Sequence, residues 1–175
     1  QMDEVGMRTP DALRAARAEQ PKARDRDLAA SLGASEAQLL AAHVGHGAIR
    51  VAAHPDRIVP ALEALGPLMA LTRNESCVIE KTGAYRDYQG GGHAGLVVAN
   101  EIDLRIFPAH WACAFALERE TAAGPQRSIQ VFDAAGDAVH KIYLRASSNV
   151  DAWAPLVEAL RHEDQGLTLA VAPRA

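Results

Sequence analysis

The chain has 175 residues, of which 49% are hydrophobic and 23% charged, with a formal net charge of −4. That length and composition suit one globular domain with a sizeable core, or two very small ones, and exclude a disordered chain. The acidic balance argues against non-specific nucleic-acid binding, and no apolar run approaches the roughly 20 residues that span a bilayer.

The start, QMDEVGMRTPD, is polar and lacks the apolar core of a signal peptide. The expectation is a soluble cytoplasmic protein, with Gln1 a residue left by an expression tag and native numbering from Met2. Cys77 and Cys113 form no CxxC pair, so they read as two buried thiols in a reducing compartment.

Helices are expected first. Pro10 and Asp11 open DALRAARAEQ, which Pro21 ends. RDRDLAASLG follows, stopped by Gly33. SEAQLLAAHVG then begins with Ser35 and Gln38 at the spacing of a capping box, and Gly45 and Gly47 close it. Helix, glycine and helix in succession resemble a helix-turn-helix. The second helix, however, offers Glu36, Gln38 and His43 and no cation for phosphate or guanine, so plain helical packing is the expectation. Ile49 to Val51 reads as a short strand. Pro55 to Gly66 reads as a helix with Asp56 as cap and Pro60 about one turn in.

From Met69 the hydrophobic period changes to two. MALTRN, CVIEKTG, HAGLVVAN, DLRIFP, HWACAFALERE, QRSIQVFDAAG and AVHKIYLRA follow one another, separated by turns at GGG (residues 90–92), TAAGPQ and AAGD. No long helical pattern intervenes, which predicts a large antiparallel meander. Asn149 to Arg161 reads as a last helix, capped by Asn149 or Asp151 and burying Trp153, Leu156 and Leu160. LTLAVA, from Leu167, reads as one more strand. The fold class is thus α+β in a single domain, residues 1–175: a helical start over 10–66, an antiparallel sheet over 69–146, and a terminal helix and tail over 149–175.

Three strands carry chemistry. In WACAFALE, Trp111, Cys113, Phe115 and Leu117 alternate with Ala112, Ala114 and Ala116. The methyl face would let something bulky and flat approach the backbone, or else pack closely on another sheet or subunit. In DLRIF, Asp103, Arg105 and Phe107 share a face. They would supply a cation beside an aromatic wall, or an Asp103–Arg105 pair in solvent. In VHKIYLR, Val139, Lys141, Tyr143 and Arg145 share a face, opposite His140, Ile142 and Leu144. Cations and rings on two strands would suit a planar apolar ligand with carboxylate tails, although a solvated amphipathic face would look much the same. His43 and His46 lack a third ligand at metal spacing, so no metal site is expected. GGGH at 90–93 opens a strand, not a phosphate-binding helix.

Taken in order, MALTRNESCVIEKTGAY, HAGLVV, IDLRIFPAHWACAFAL, SIQVFDAAGDAVHKIYLR and DAWAPLVEAL resemble the N-terminal half of the HemS/HmuS haem-utilisation proteins. ARDRDLAASLGASEAQLLAA is similar too, so the resemblance covers nearly the whole chain. It implies a cytoplasmic haem-binding domain, with b-type haem in a cleft between two homologous halves. Arg105 would face the distal side and Phe107 would follow it. Lys141 and Tyr143 join them as candidate haem-binding residues.

The implied partners are haem, a second homologous half or a homodimer partner, and a haem oxygenase or inner-membrane haem transporter. Full-length relatives include haem-degrading members; for this half alone no catalytic residue is assigned. Two features depart from the family pattern. The resemblance implies that the chain is one half, ending where the family's interdomain linker begins and so either truncated or a half-length protein that dimerises, and Ile79 stands before Glu80 where relatives commonly carry a histidine. The alternative from another class is a non-catalytic protein–protein interaction module that docks through the helical start.

Overall fold

The structure, a computed structural model, describes residues 8–73, 78–84, 95–99, 102–106 and 108–174. Three short helices open it: α1 (Pro10–Glu19), α2 (Asp25–Ser31) and α3 (Glu36–Ala41). Thr9 caps α1 by accepting from the Ala12 amide, and Pro10 takes the first helical position, where no amide is needed. Gly33 turns the chain with φ +72. The expected capping box forms: the Ser35 hydroxyl accepts from the Gln38 amide at 3.1 Å, and the Gln38 side chain accepts from the Ser35 amide at 2.9 Å.

Every residue of α3 is buried. A helix enclosed on all sides cannot lie in a DNA groove, which removes the helix-turn-helix reading. α1 and α2 pack against its outer side through Leu13, Leu28, Ala29, Leu39 and Ala42.

After β1 (Ala48–Val51) comes α4 (Pro55–Leu62). Its cap is His54, not Asp56: the His54 ring nitrogen accepts from the Asp56 amide at 3.1 Å, and Pro55 holds the first helical position. The strands then follow as β2 (Pro67–Arg73), β3 (Val78–Ala84), β4 (Gly95–Ala99), β5 (Ile102–Ile106), β6 (Cys113–Thr121), β7 (Gly124–Phe132) and β8 (Ala138–Leu144). The glycine turn at 90–92 lies outside the described residues.

All the ladders between these strands are antiparallel, as the alternating pattern predicts. Six strands form one sheet in the order β1-β6-β7-β8-β2-β3, and β4 and β5 pair separately. The meander thus runs in chain order through β6, β7 and β8 and again through β2 and β3. The two runs join where β8 pairs with β2, and β1 reaches across from the helical start to flank β6.

Helices cover both faces of this sheet. On one, α4 and α5 (Trp153–Leu160) bury Ile58, Val59, Leu62, Trp153, Leu156 and Leu160 against Ala114, Ala116, Ile129 and Ile142. The methyl face of β6 is therefore filled by helices of the same chain and is not open to a flat ligand. Small side chains there let bulky helical residues approach the strand. On the other face, α3 packs on Cys113, Phe115, Leu117 and Phe132.

Trp111 does not join Cys113 and Phe115 as simple alternation would have it. It precedes β6, after the short 3₁₀ turn Pro108–His110, and buries with the α4/α5 cluster. Its ring stacks on His140 with centroids 5.4 Å apart.

Residues 167–172 form no strand. They run as a strap in which Gln38 donates to the Leu169 carbonyl at 3.2 Å and the Ala172 amide to the Ala134 carbonyl at 2.8 Å.

Candidate functional site

A cleft of about 880 Å³ lies between the helical start and the sheet face formed by β2, β6 and β8. Its floor is Leu71 of β2 with Lys141 and Tyr143 of β8; register sets Lys141 opposite Leu71 and Tyr143 opposite Met69. The period of two on β8 points Lys141 and Tyr143 to this side, while His140 and Ile142 bury on the other. The walls carry Arg17, Asp25 and Glu36 from the helices and Glu118, Arg119 and Glu120 from β6; His46 lines the cleft as well.

Most of these charges are paired across elements. Asp25, with a side chain only 9% exposed, accepts from Arg17 at 2.6 Å and from Arg119 at 2.7 Å, tying α1 and α2 to β6. Burial pushes its carboxyl up, but the hydrogen bonds and charges of Arg119 and Arg17 outweigh that and hold it below its ordinary value. Glu36, 4% exposed, pairs with Lys141, joining α3 to β8. Burial, then the negative charges of Glu36 and Asp25, raise the Tyr143 phenol to about 12, so Tyr143 remains a neutral hydrogen-bond donor. Arg24 and Arg26 sit on the exposed rim.

Of the four candidates from the sequence, the side chains of Lys141 and Tyr143 are among those described. Lys141 and Tyr143 line this cleft together. Arg105 lies on β5 opposite Leu96 of β4; its side chain and the whole of Phe107 lie outside the described residues. Arg145 does not line the cleft. Sequence reasoning missed Asp25, Glu36 and Arg119. The available signal was Glu36 itself: a carboxylate at the start of an otherwise apolar buried helix needs a cation from elsewhere.

His140 and Cys113 are buried in the core. His140 is buried between Trp111 and Thr72, whose hydroxyl lies 2.9 Å from its Nδ1. Burial lowers its pKa to about 4. Cys113 is buried and its thiol is pushed up to about 11; Cys77 lies outside the described residues. His43 is half-buried against the Leu39 carbonyl, and His46 is exposed. Among the described residues no cluster of three His, Cys, Asp or Glu could hold a metal ion, and no helix is long and apolar enough to cross a membrane.

The cleft is strongly ionic, lined by Asp25, Asp27, Glu36, Glu118 and Glu120 as well as by Arg17, Arg119 and Lys141, with Leu71 and Tyr143 as its apolar surface. Residues 33–160 match the family model described as "Haemin-degrading HemS.ChuX domain". The chain belongs to this family.

Among curated relatives of this HemS/ChuX-type domain, the Hemin transport protein HmuS of Yersinia pestis is 43% identical over 143 residues, covering 81% of this chain and 41% of the relative. Among solved structures, holo-PhuS, a heme-binding protein from Pseudomonas aeruginosa, superposes with a TM-score of 0.87 at 49% identity, covering 96% of this chain and 51% of that one. ChuS, a heme degrading enzyme of Escherichia coli O157:H7, superposes at 0.78 with 34% identity, covering 91% of this chain and 48% of that one. The chain thus spans about half the length of the proteins it matches.

Proposed function

We propose that this HemS/ChuX-type chain is a cytoplasmic haem-binding domain of a haem trafficking or degradation protein, contributing the distal side of a haem cleft. The observation that carries the reading is 49% identity to the heme-binding PhuS over 96% of this chain.

In this reading Arg105, with Phe107 beside it, faces the porphyrin, while Lys141 and Tyr143 take its carboxylates. A guanidinium has no lone pair to offer iron, so Arg105 acts by hydrogen bonding and charge on the distal side. Haem supplies the redox chemistry when bound; the chain's own residues orient it and set its electrostatics. In this reading residue 79, an isoleucine where relatives commonly carry histidine, supplies no iron ligand, and a second homologous half or a second copy would supply it. A haem oxygenase and an inner-membrane haem transporter are the exchange partners that fit such a role. Haem cleavage is not assigned to this half alone.

The test is titration with haemin, followed by its Soret band, of this chain and of a protein in which it is joined to a second homologous half. A defined, saturable band in the two-half protein and a weaker one in this chain are expected. Arg105→Ala should shift the band in the two-half protein, and an unchanged band would remove Arg105 from the site. Absence of saturable binding in both proteins would overturn the reading.

A further inference from the structure

Helix α3 is bonded on one side to the cleft and on another to the C-terminal strap. Glu36, in its first turn, pairs with Lys141 on the cleft floor. Two positions on, roughly 200° around the helix, Gln38 donates to the Leu169 carbonyl of the strap at 3.2 Å. The strap also grips α3 through the Asp133–Asp137 turn. The Ala172 amide donates to the Ala134 carbonyl at 2.8 Å, and Arg174 donates to the two carboxylate oxygens of Asp137 at 2.8 and 2.7 Å. That turn passes the hold to the helix, since the Gly136 carbonyl accepts from the Ala37 amide at 3.1 Å.

The strap is held more lightly than the helix it holds. Just before it the chain is fastened to β1: Arg161 bridges to Val51, and Gln165 bonds both backbone groups of Arg50. Past Gly166 the fastening is no longer continuous. From 167 to 174 only Leu169 and Val171 are half-buried, and hydrogen bonds to the body come at Leu169, Ala172 and Arg174. Every residue of α3, by contrast, is buried. A segment with so few buried contacts opens at a small fraction of the free energy of global unfolding. The strap can therefore lift while the sheet stays folded, taking Leu169 off the Phe115 and Phe132 cluster.

We infer that residues 167–174 form a detachable strap that governs the ionic cleft through α3: seated, it keeps Glu36 on Lys141; lifted, it loosens α3 and frees the Lys141 ammonium group. The inference goes beyond the haem-binding reading and needs no ligand. Lifting removes the Gln38 bond and both holds on the turn at once, leaving α3 with its apolar packing and the Glu36 pair. The Glu36 pair is the one of these that faces the cleft. If this chain is the first of two halves, as the sequence resemblance implies, the strap leads out of this half, and the position of the next half is felt at Lys141.

The experiment uses the full chain and reads the acetylation rate of Lys141 by peptide mass spectrometry, with the exposed Lys22 as internal reference. Amide hydrogen exchange is followed in the strap, in α3 and in the β6–β7 hairpin. The double variant Leu169→Ala, Arg174→Ala changes only a half-buried and an exposed residue of the strap. It should speed exchange in the strap and α3, raise Lys141 acetylation about five-fold over Lys22, and leave β6–β7 protected. Glu36→Gln, which breaks the pair outright, sets the upper limit of that labelling. Ser148→Ala, which removes bonds to the Arg145 amide and the Pro67 carbonyl away from α3, should leave Lys141 near its wild-type rate.

A freed strap with wild-type exchange in α3 and wild-type labelling of Lys141 would overturn the inference. Unchanged exchange in the strap itself would do so too, because the named contacts would then not hold it. An equal rise in Ser148→Ala, or loss of β6–β7 protection along with α3, would assign the effect to general destabilisation and reject the strap's control. None of these outcomes bears on haem binding, which the haemin titration tests separately.

Discussion

The side-chain amide of Gln165 pairs with both backbone groups of Arg50: its oxygen accepts from the Arg50 amide at 3.0 Å and its nitrogen donates to the Arg50 carbonyl at 2.8 Å. A side chain here acts as one more rung of a ladder. β1 is the outer strand of the six-stranded sheet, and such an edge invites pairing with another chain. The backbone completes the cover, with the Ala52 amide donating to the Leu160 carbonyl at 2.7 Å and the His162 amide to the Arg50 carbonyl at 2.9 Å.

Gln165→Ala should therefore do two things. It removes three hydrogen bonds, two to Arg50 and one to the His162 carbonyl, which costs about 1–3 kcal/mol. It also bares part of the β1 edge, so self-association should rise with concentration. Urea unfolding measures the first effect and light scattering the second. Wild-type values in both would show that the backbone contacts suffice.

Asp25→Asn should be among the most damaging single changes in the helical start. It leaves Arg17 and Arg119 facing one another without a counter-charge, and breaking a buried pair of this kind costs about 3–5 kcal/mol. Because the folded-state pKa of Asp25 lies below its ordinary 3.8, its contribution is complete above that value and disappears as pH falls through the folded pKa. Urea unfolding at pH 7 should show the full loss, and the gap between variant and wild type should narrow below about pH 4.

His140 acts in a different window. Its pKa falls from 6.5 to about 4 through burial, so the unfolded chain binds the extra proton first. Stability from this group is complete above pH 6.5 and declines as the solution is acidified toward 4. The gap is worth about 3 kcal/mol in total. Denaturation series at pH 7.5 and pH 5 should differ in the wild type, and the difference should shrink in His140→Leu. An equal difference in the two would assign the pH dependence to other groups.

Cys113 should be inert. With its thiol pushed up to about 11 and its side chain buried, it carries almost no thiolate near neutral pH. In a Cys77→Ser background, thiol reagents should react only as the chain unfolds, at a rate that tracks denaturant concentration. Fast labelling under native conditions would contradict this.

Much of the fold was legible because local signals and burial agree. The Ser35–Gln38 box, the glycine stops and the alternation of β8 each appear where their residues predict, whereas β7 is buried on both faces from Ser128 to Phe132. Misreadings arose where a residue obeys a neighbour and not its own period. Trp111 lies two residues before β6, directly after the Pro108–His110 turn, so strand alternation never applied to it. LTLAVA has the composition of a strand, but it runs over α3 and the Asp133–Asp137 turn and bonds to them singly. His54 caps α4 through a ring nitrogen, a cap less common than the neighbouring Asp56 would be. Of the site, Lys141 and Tyr143 were legible from alternation alone. Their partner was not: Glu36 lies 105 positions away from Lys141, and no local pattern reports a contact made only by folding.

The turn from Asp133 to Asp137 is bound to the rest of the molecule more closely than its length suggests. Gly136 has φ +86, its carbonyl accepts from the Ala37 amide at 3.1 Å, and a methyl group at its Cα would overlap the Ser35 hydroxyl. The Thr121–Gly124 hairpin has no such neighbour, and Gly124 faces open space. A reporter peptide spliced between Ala122 and Ala123 should leave the protein folded, whereas the same splice between Ala135 and Gly136 would prise the third helix off the sheet.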